Sequence, residues 1–514
     1  MSPRFLSQSS GSGSAPGAAG PPGGAALFGP TVVTLLLGAI TVWRVMALAA
    51  LDINLSFDEA QYWLWAQNPD FGYFSKPPMV AWAIAATTAV CGDGEVCVKL
   101  GAPLAHFGTA LALYHVGRRL FDDDRIGFWA ALGYVLMPGV SFSSLVITTD
   151  PFLLLFWALA LLALVRVMEA PEQSLPWWLA LGVFVGLGMM SKYAMLFFVA
   201  SMAISMAWVP ALRGEARKAG PWLALLVAAA LYAPNVWWNW SNDFVSYAHT
   251  QSNANLGNEL FNLDELGEFL GSQFGVFGPV FFGVLLWVVF ARWRSAAADP
   301  RFRLLLAFTL PVLAFMTFQG LLSRANANWA ATAYVAGSVL VPAWLLTREK
   351  AWLLKTGVAI HLAAALVLYN FGVLAPLAGI EPGDKMDPMK RVRGWDALGQ
   401  SLSDLRLAAP DARLLFDERK AMATLVYYVR PYPFQAKMWA PYDYPGNHYQ
   451  LEMPLESGDE GPFLYVTEQD NPAHITGRFA QAEQVSVLRV ALSEDYAVRL
   501  NVWRLDGFKG YGES

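Results

Sequence analysis

Long apolar runs separated by short polar stretches dominate residues 31–376 of the chain. The first run, 31–51, carries the single charge Arg44 and is long enough to cross a bilayer as a helix. The apolar stretch Pro78–Cys91 is shorter and predicts a helix that lies at the interface. The chain is predicted to have about eleven transmembrane helices (11–13). These spans are 31–51, 96–117, 126–148, 151–168, 176–190, 193–209, 221–237, 275–291, 304–322, 329–346 and 356–376.

The two ends of the chain have different patterns. Residues 1–30 consist mainly of Ser, Gly, Ala and Pro and predict a disordered tail. Residues 377–514 have ordinary charge and mixed patterning, with strand-like stretches at 412–416 and 497–505. We therefore predict a transmembrane domain over 31–376, followed by a soluble α/β domain.

Basic residues are distributed unevenly between alternate loops. With the N-terminus in the cytoplasm, the loops on the far side of the membrane hold few cations, namely Lys76, Lys99, Lys192 and Arg324. The loops on the near side are rich in Lys and Arg, and such loops stay in the cytoplasm. Loops 52–95 and 238–274 and the segment 377–514 are therefore predicted to face away from the cytoplasm.

Composition agrees with a membrane protein. The chain is 56% hydrophobic and 15% charged, with a mean hydropathy of +0.38, whereas soluble domains carry about 25% charged residues. A net charge of -5 excludes a generally basic nucleic-acid binder. The two cysteines exclude a disulfide scaffold and a multi-Cys metal cluster. Outside the cytoplasm, Cys91 and Cys97 fit either a disulfide or two unpaired thiols.

Three carboxylates lie beside predicted spans and are candidate catalytic groups. Asp58 and Glu59 open an aromatic-rich segment after the first span, and Asp150 ends an uncharged run. Ionisable groups at the membrane border are costly and usually face a cavity. The alternative is helix capping, with Ser56 or Asp58 as the cap and Glu59 in the first turn. Asp150 before Pro151 also fits an ordinary helix start.

Candidate anion-binding residues are predicted on the same membrane face. Lys76 precedes Pro77 and Pro78, which hold it on a rigid turn. A fixed cation beside carboxylates favours a phosphate clamp, and a lysine that reaches lipid headgroups is the alternative. The other candidates for binding a donor phosphate or sugar are Tyr73, Lys192, Tyr193, His249, Arg324, Asn326 and Asn328.

The C-terminal segment contains an aromatic-rich stretch that covers Pro431–Phe434, Trp439–Tyr444 and Asn447–Tyr449. Sugars stack on aromatic faces, so contact with an acceptor is one interpretation. Packing of this loop on its own domain or at the bilayer interface is the favoured one. The charged run Asp417–Lys420 predicts a solvated face.

The order of three motifs resembles the bacterial C-type glycosyltransferases, relatives of protein O-mannosyltransferases and lipid A aminoarabinose transferases. The motifs are Asp58–Glu59, the Tyr-x-x-Lys-Pro-Pro turn at Tyr73–Pro78, and Thr-Asp-Pro at Thr149–Pro151. The resemblance covers roughly residues 30–350. The stretches Gly72–Trp82 and Ser323–Ala331 are most similar to the branch that includes rhizobial galacturonosyltransferases.

The resemblance implies a periplasmic active site on the bacterial inner membrane, where a sugar moves with inversion from a polyprenyl-phosphate donor to lipid A or core lipopolysaccharide. It also implies that Asp58 and Asp150 are the acidic catalytic positions and that Lys76 holds the donor phosphate. Some members bind a divalent metal, which Asp58, Asp150 and water would have to hold here. Arg324 would bind either that phosphate or the carboxylate of a uronic acid.

Two other functions are compatible with this pattern. A protein O-mannosyltransferase would use the same site on a Ser or Thr hydroxyl. A lipid-linked sugar transporter or flippase would share the spans, but it would place its charges near the midplane between repeated halves. The expected partners are the lipid-linked donor, a glycolipid acceptor and the bilayer, with no nucleic acid. The clustering of charges at one face favours the enzyme.

Overall fold

The computed structural model of the chain describes residues 27–51, 53–253, 261–380, 387, 389–493 and 497–512. Most of the predicted disordered tail, residues 1–26, lies outside the described residues. The helices up to residue 380 are α1 (Pro30–Ala50), α2 (Phe57–Gln67), α3 (Met79–Cys91), α4 (Glu95–Lys99), α5 (Gly101–Phe121), α6 (Asp124–Leu136), α7 (Pro138–Ser143), α8 (Asp150–Glu169), α9 (Leu175–Ser191), α10 (Leu196–Trp208), α11 (Ala219–Ser241), α12 (Val245–Asn253), α13 (Leu263–Val276), α14 (Pro279–Ala291), α15 (Trp293–Ala298), α16 (Pro300–Leu322), α17 (Ala333–Leu346), α18 (Ala351–Tyr369) and α19 (Phe371–Leu377).

Within the described residues, 6 helices are long and apolar enough to cross a membrane: α1, α4 joined to α5, α8, α11, α16 and α18. The number reaches 8 if two bent pairs count as one span each. One pair joins α10 to the residues after it and bends by 99°, and the other joins α13 to α14 and bends by 118°. Apolar helices α3, α9 and α17 are shorter. The structure is a polytopic helical membrane fold, and the count of eleven spans stays a prediction.

Proline and glycine residues interrupt two of the predicted spans. The run 126–148 is divided into α6 and α7 because Pro138 forces Met137 into an extended conformation, with ψ 133°. The run 275–291 begins inside α13 and continues as α14 after Gly278, whose φ is +87°. Only glycine adopts that angle without strain, and Pro279 then starts a new helix.

The centre of the bundle lies between α5, α6, α8 and α17, which pack on one another. Large aromatic side chains fill it, and Tyr134, Trp157 and Trp344 are all 0% exposed. Helices α5 and α6 approach closely where two glycines meet, because a Cβ on Gly117 would lie 3.1 Å from the Cα of Gly127. Small residues at a crossing allow such close packing of membrane helices.

The C-terminal segment forms a mixed α/β unit, as predicted. Its sheet has the strand order β2-β1-β3-β5-β4, in which β1, β2 and β3 are parallel and β5 is antiparallel to its two neighbours. Its helices are α20 (Trp395–Ala408), α21 (Arg419–Tyr428), α22 (His448–Glu452) and α23 (Ala473–Thr476). Its strands are β1 (Arg413–Phe416), β2 (Lys437–Met438), β3 (Phe463–Thr467), β4 (Phe479–Ala491) and β5 (Ala497–Phe508).

Helix α21 of this unit packs directly on α2, so the two parts of the chain share a core. Trp63 of α2 is fully buried, and its ring lies edge-on to Tyr427, with the centroids 5.0 Å apart. The indole of Trp63 also donates a hydrogen bond to Asp93 at 2.9 Å. Asp93 lies in the loop between Cys91 and Cys97, and a disulfide joins these two cysteines. The sequence left open whether they are bonded or are two unpaired thiols, and the structure shows the bond. The contact between α21 and α2 holds the α/β unit against the membrane part of the chain.

Candidate active site

Helix α2 begins with a capping box that accounts for Glu59. The hydroxyl of Ser56 accepts from the Glu59 amide, and the Glu59 carboxylate accepts from the Ser56 amide at 2.8 Å. The other Glu59 oxygen accepts from the Ile147 amide at 2.8 Å, and the residue is only 1% exposed. The capping interpretation is confirmed for Glu59, whose buried oxygens are engaged by the backbone. These bonds give Glu59 a structural role, and its catalytic role stays a prediction.

Asp58, the neighbouring residue, points towards the C-terminal unit. One of its oxygens accepts a charge-assisted hydrogen bond from the guanidinium of Arg419, at the start of α21. The Nε of Arg419 donates to Gln61 at 2.7 Å, and its guanidinium lies 4.9 Å from the centre of the Phe57 ring. The expectation of a solvated charged face at 417–420 is wrong for Arg419, because this side chain meets a candidate catalytic carboxylate.

Asp150 stands at the first position of α8 with both oxygens engaged. Lys192 forms a salt bridge to one oxygen at 2.6 Å, and the side-chain amide of Asn328 donates to the other at 2.7 Å. The Asp150 and Lys192 side chains are 14% and 24% exposed. Three of the predicted site residues, far apart in the chain, are therefore in direct contact.

Lys76 lies within electrostatic reach of both aspartates. Its turn is closed by a hydrogen bond of 3.2 Å from the Tyr73 amide to the Lys76 carbonyl. Burial lowers the pKa of Lys76, and Lys192 lowers it further, while Asp58 and Asp150 raise it. In the part of the chain that the structure describes, its ammonium group forms neither a hydrogen bond nor an ion pair. The side chain of Lys76 is therefore held on a closed turn without a partner among the described residues, and its role in binding an anion stays a prediction.

His249 and Tyr193 lie at the edge of this cluster. The His249 ring packs against Phe74 with centroids 5.4 Å apart. Burial lowers the pKa of His249, and the nearby cations Lys76 and Arg419 lower it further, so the ring is neutral at pH 7. Tyr193 packs its ring against Tyr247, with the centroids 5.2 Å apart.

The remaining predicted site residues have other positions. The Tyr73 hydroxyl donates to the Trp65 carbonyl at 3.1 Å and accepts from the Asp70 amide at 2.9 Å. The hydroxyl of Tyr73 therefore holds the turn together, and a contact of Tyr73 with the sugar donor stays a prediction. Arg324 and Asn326 are exposed, on the same segment as Asn328.

The residues present do not fit a divalent metal held by the two aspartates. Asp58 is paired with Arg419, and Asp150 is paired with Lys192 and Asn328. A metal ion would have to displace these cations, and the described residues contain no group of three or more His, Cys, Asp or Glu placed to bind one.

A cavity of about 520 Å³ opens beside this cluster, between the end of α2, the end of α11 and the C-terminal unit. Trp65 and Trp238 line it from the membrane part, and Phe434 and His448 line it from the aromatic stretch of the C-terminal unit. The favoured prediction for that stretch was packing on its own domain, whereas these two residues face a cavity shared with α2.

Comparisons with known proteins indicate one family. Residues 75–238 match the family model described as dolichyl-phosphate-mannose-protein mannosyltransferase. The lipid A galacturonosyltransferase RgtD of Rhizobium johnstonii is 36% identical over 440 residues, which cover 84% of this chain and 90% of that protein. An undecaprenyl phosphate-alpha-4-amino-4-deoxy-L-arabinose arabinosyl transferase of Pseudomonas fluorescens is 28% identical, over 34% of each chain.

The fold is similar to the crystal structure of ArnT from Cupriavidus metallidurans in the apo state. That comparison has a TM-score of 0.62 at 14% identity and covers 92% of this chain and 98% of ArnT. The likeness includes both the helical bundle and the C-terminal unit, because it extends over nearly the whole of each chain.

Proposed function

The chain belongs to the C-type glycosyltransferases, in their galacturonosyltransferase-like branch, and we propose that it transfers a sugar from a polyprenyl-phosphate donor to lipid A or core lipopolysaccharide with inversion. The name of the Rhizobium johnstonii relative supports lipid A as the acceptor and galacturonic acid as the sugar. The name of the Pseudomonas relative supports undecaprenyl phosphate as the carrier. The proposed site of transfer is the periplasmic face of the inner membrane.

The observation that carries this proposal is the cation Lys76 within electrostatic reach of two carboxylates that are already paired. Asp58 has Arg419 and Asp150 has Lys192, so the positive charge of Lys76 has no counterion in the described part of the chain. A donor phosphate would supply that counterion. Its charge grows as the sugar leaves, and a fixed cation in a site shielded from water stabilises that growth strongly.

The proposed reaction uses the free oxygen of Asp58 as the base. That oxygen takes the proton of an acceptor hydroxyl, the hydroxyl oxygen attacks C1 of the sugar, and the bond from C1 to the phosphate oxygen breaks. Polyprenyl phosphate leaves with the electron pair, next to Lys76. General-base help of this kind contributes about 10²–10⁴-fold to the rate.

A uronic acid donor would bring a second anion to the site. Arg324 is exposed near Asn328, which binds Asp150, and its planar guanidinium pairs with a carboxylate through two hydrogen bonds. We propose that Arg324 binds the sugar carboxylate while Lys76 binds the phosphate. With a neutral-sugar donor, Arg324 would then have no role.

The test is mass spectrometry of lipid A and core oligosaccharide from cells that lack the gene, complemented with wild type, Asp58→Asn or the control Asp404→Asn. Asp404 is an exposed carboxylate of α20. We expect wild type and the control to restore one hexuronosyl mass, and Asp58→Asn to restore none. The substitution keeps the shape of the side chain but removes the base.

Each of the other outcomes of this experiment would contradict a different part of the proposed function. Unchanged lipopolysaccharide with altered periplasmic glycoproteins would favour a protein O-mannosyltransferase. Restoration by Asp58→Asn as complete as that by wild type would refute Asp58 as the base and favour a flippase. A hexosyl or aminopentosyl mass would retain the transferase and change the sugar.

A further inference from the structure

The cavity beside the site has a charge pattern opposite to that of the transfer site. Its lining includes the carboxylates of Asp70 and Glu452, and none of its lining residues is Lys or Arg. The transfer site, two turns of α2 away, contains Lys76, Lys192 and Arg419. Seven residues of helix separate Asp58 from Trp65, which corresponds to about 10 Å along the axis.

The carboxylate of Glu452 lacks a compensating group. It forms neither a hydrogen bond nor an ion pair with any described residue, and it is exposed at the end of α22. Glu452 is only partly shielded from water, and this partial burial raises its pKa; the negative charge of Asp70 raises it further, so the two carboxylates repel each other. A ligand with hydroxyl or ammonium donors would relieve that repulsion.

The walls of the cavity are aromatic, and two of their rings, Trp65 and His448, have a buried nitrogen without a hydrogen-bond partner among the described residues. Trp238 is fixed by a hydrogen bond from its indole to Asp70 at 2.8 Å, and Trp65 lies edge-on to His448 with centroids 5.3 Å apart. His448 is 7% exposed, and its ring makes no hydrogen bond with any described residue. Burial lowers the pKa of His448 to about 3, so this ring adds no positive charge at pH 7.

We propose that this cavity binds the saccharide ring of the acceptor, and that it selects a neutral or amino sugar over an anionic one. The inference rests on the proposed function, because the acceptor then reaches from the cavity to Asp58. Aromatic faces pack against the C–H groups of a pyranose and attract an ammonium group. The carboxylates of Asp70 and Glu452 accept hydrogen bonds from hydroxyls and repel a phosphate or uronate. The volume of about 520 Å³ falls in the range of small-ligand sites.

The test measures binding of three methyl glycosides to the full-length protein in lipid nanodiscs by saturation-transfer NMR. The probes are the glycosides of glucose, glucosamine and glucuronic acid, which differ in charge. We expect the glucuronic acid glycoside to bind at least about tenfold more weakly than the glucosamine glycoside. This ratio corresponds to the free energy of one hydrogen bond to a charged group. Equal binding of all three probes, or no binding, overturns the proposal.

Two variants and a control separate charge from shape. Glu452→Lys is expected to reverse the order, so that glucuronic acid binds more tightly than glucosamine. Gly72→Ala is expected to weaken the binding of all three probes, because a Cβ there would lie 2.5 Å from the Trp238 ring and displace the ring. Glu456→Lys changes an exposed carboxylate outside the lining and is expected to leave the order unchanged. An unchanged order in Glu452→Lys overturns the proposal.

The two proposals fail in different ways. Asp58→Asn is expected to bind the probes as tightly as wild type does. Loss of binding in this variant would show that the probes bind in the transfer site and would overturn the proposal about the cavity. Probe selectivity without sugar transfer would refute the proposed function alone. Sugar transfer without probe selectivity would refute only the proposal that the cavity binds the acceptor saccharide.

Discussion

At the scale of single residues, Arg419 connects the C-terminal unit to the chemistry. Its guanidinium reaches Asp58 through Nη2 and Gln61 through Nε, which fixes the direction of the carboxylate. The planar, forked guanidinium makes the two bonds from two nitrogens in a fixed geometry, whereas a lysine would have to make both from one freely rotating ammonium group. Arg419 is therefore a positioning residue for the proposed base.

We expect Arg419→Ala to lower kcat about 10–100-fold with little change in the KM of the donor. The fall in kcat corresponds to the free energy of one lost charged hydrogen bond. Arg419→Lys is expected to restore part of that loss, because it returns the charge without the fork. The neighbouring Lys420, in a partly exposed salt bridge with Glu468, supplies the control Lys420→Ala. A kcat of Arg419→Ala within twofold of wild type would contradict the positioning role.

A second residue-scale prediction concerns His448 and acid stability. Its pKa is about 3 in the folded protein because the ring is buried, against about 6.5 in an unfolded chain. Below pH 6.5 the unfolded chain therefore binds a proton that the folded one does not. The free energy of unfolding falls by about 1.4 kcal/mol per pH unit between 6.5 and 3 from this group.

Thermal unfolding of wild type and His448→Asn between pH 7.5 and pH 4.5 measures that contribution. The variant is expected to start less stable, because a packed ring is lost, but to lose less stability on acidification. Parallel decreases of Tm in the two proteins would show that His448 does not titrate as described.

Local sequence signals predicted part of the site and missed the rest. Asp150, Lys192 and Asn328 were predicted on one face because each lies at the end of an apolar run, and the structure brings them into contact. Arg419 stands 361 residues after Asp58, in a charged run typical of a solvated surface, so only the packing of α21 on α2 reveals it. For Glu59, the Ser-x-x-Glu spacing was itself the signature of the cap.

At the scale of elements, α2 connects the two acidic positions. Its Glu59 carboxylate binds the Ser56 amide at the start of α2 and the Ile147 amide in the segment that leads to Asp150. The start of α8 is thereby tied to the start of α2. Glu59 is 1% exposed, so each bond it makes is shielded from water.

Glu59→Gln is expected to destabilise the protein by about 1–3 kcal/mol, because the new NH₂ group faces a backbone donor and cannot accept. It is expected to lower kcat far less than Asp58→Asn does, since the base is still present. Glu172→Gln, at an exposed site after α8, is the matched control. Denaturation and kinetics on the same samples separate the two effects. A loss of kcat as large as that of Asp58→Asn with unchanged stability would instead support the predicted catalytic role of Glu59.

Element boundaries were less predictable than element positions. Hydropathy detects apolar content but not the direction of the chain, so the bend of 118° between α13 and α14 has no signal in a sliding window. The prolines at 138 and 279 were visible, yet proline also occurs inside α11, as Pro234, without ending that helix. Whether a proline breaks a membrane helix depends on the neighbours that satisfy the freed backbone groups.

At the scale of the whole molecule, three observations support one orientation. Basic residues are concentrated in the loops opposite the site, the disulfide of Cys91 and Cys97 lies beside α2, and the α/β unit covers the same end. Disulfides persist in an oxidising compartment. We therefore propose that the site and residues 377–514 lie in the periplasm, where a lipid-linked donor and a glycolipid acceptor would meet.

Labelling of single introduced cysteines with a membrane-impermeant maleimide tests this orientation. The described chain holds no free cysteine, so Ser457→Cys in the C-terminal unit and Glu172→Cys between α8 and α9 would be the reactive thiols there. In intact spheroplasts we expect the first to react and the second to react only after permeabilisation. The reverse pattern would put Asp58 and Lys76 in the cytoplasm. The proposed transfer to lipopolysaccharide at the periplasmic face would then be untenable, because catalytic groups and acceptor would lie on opposite sides of the membrane.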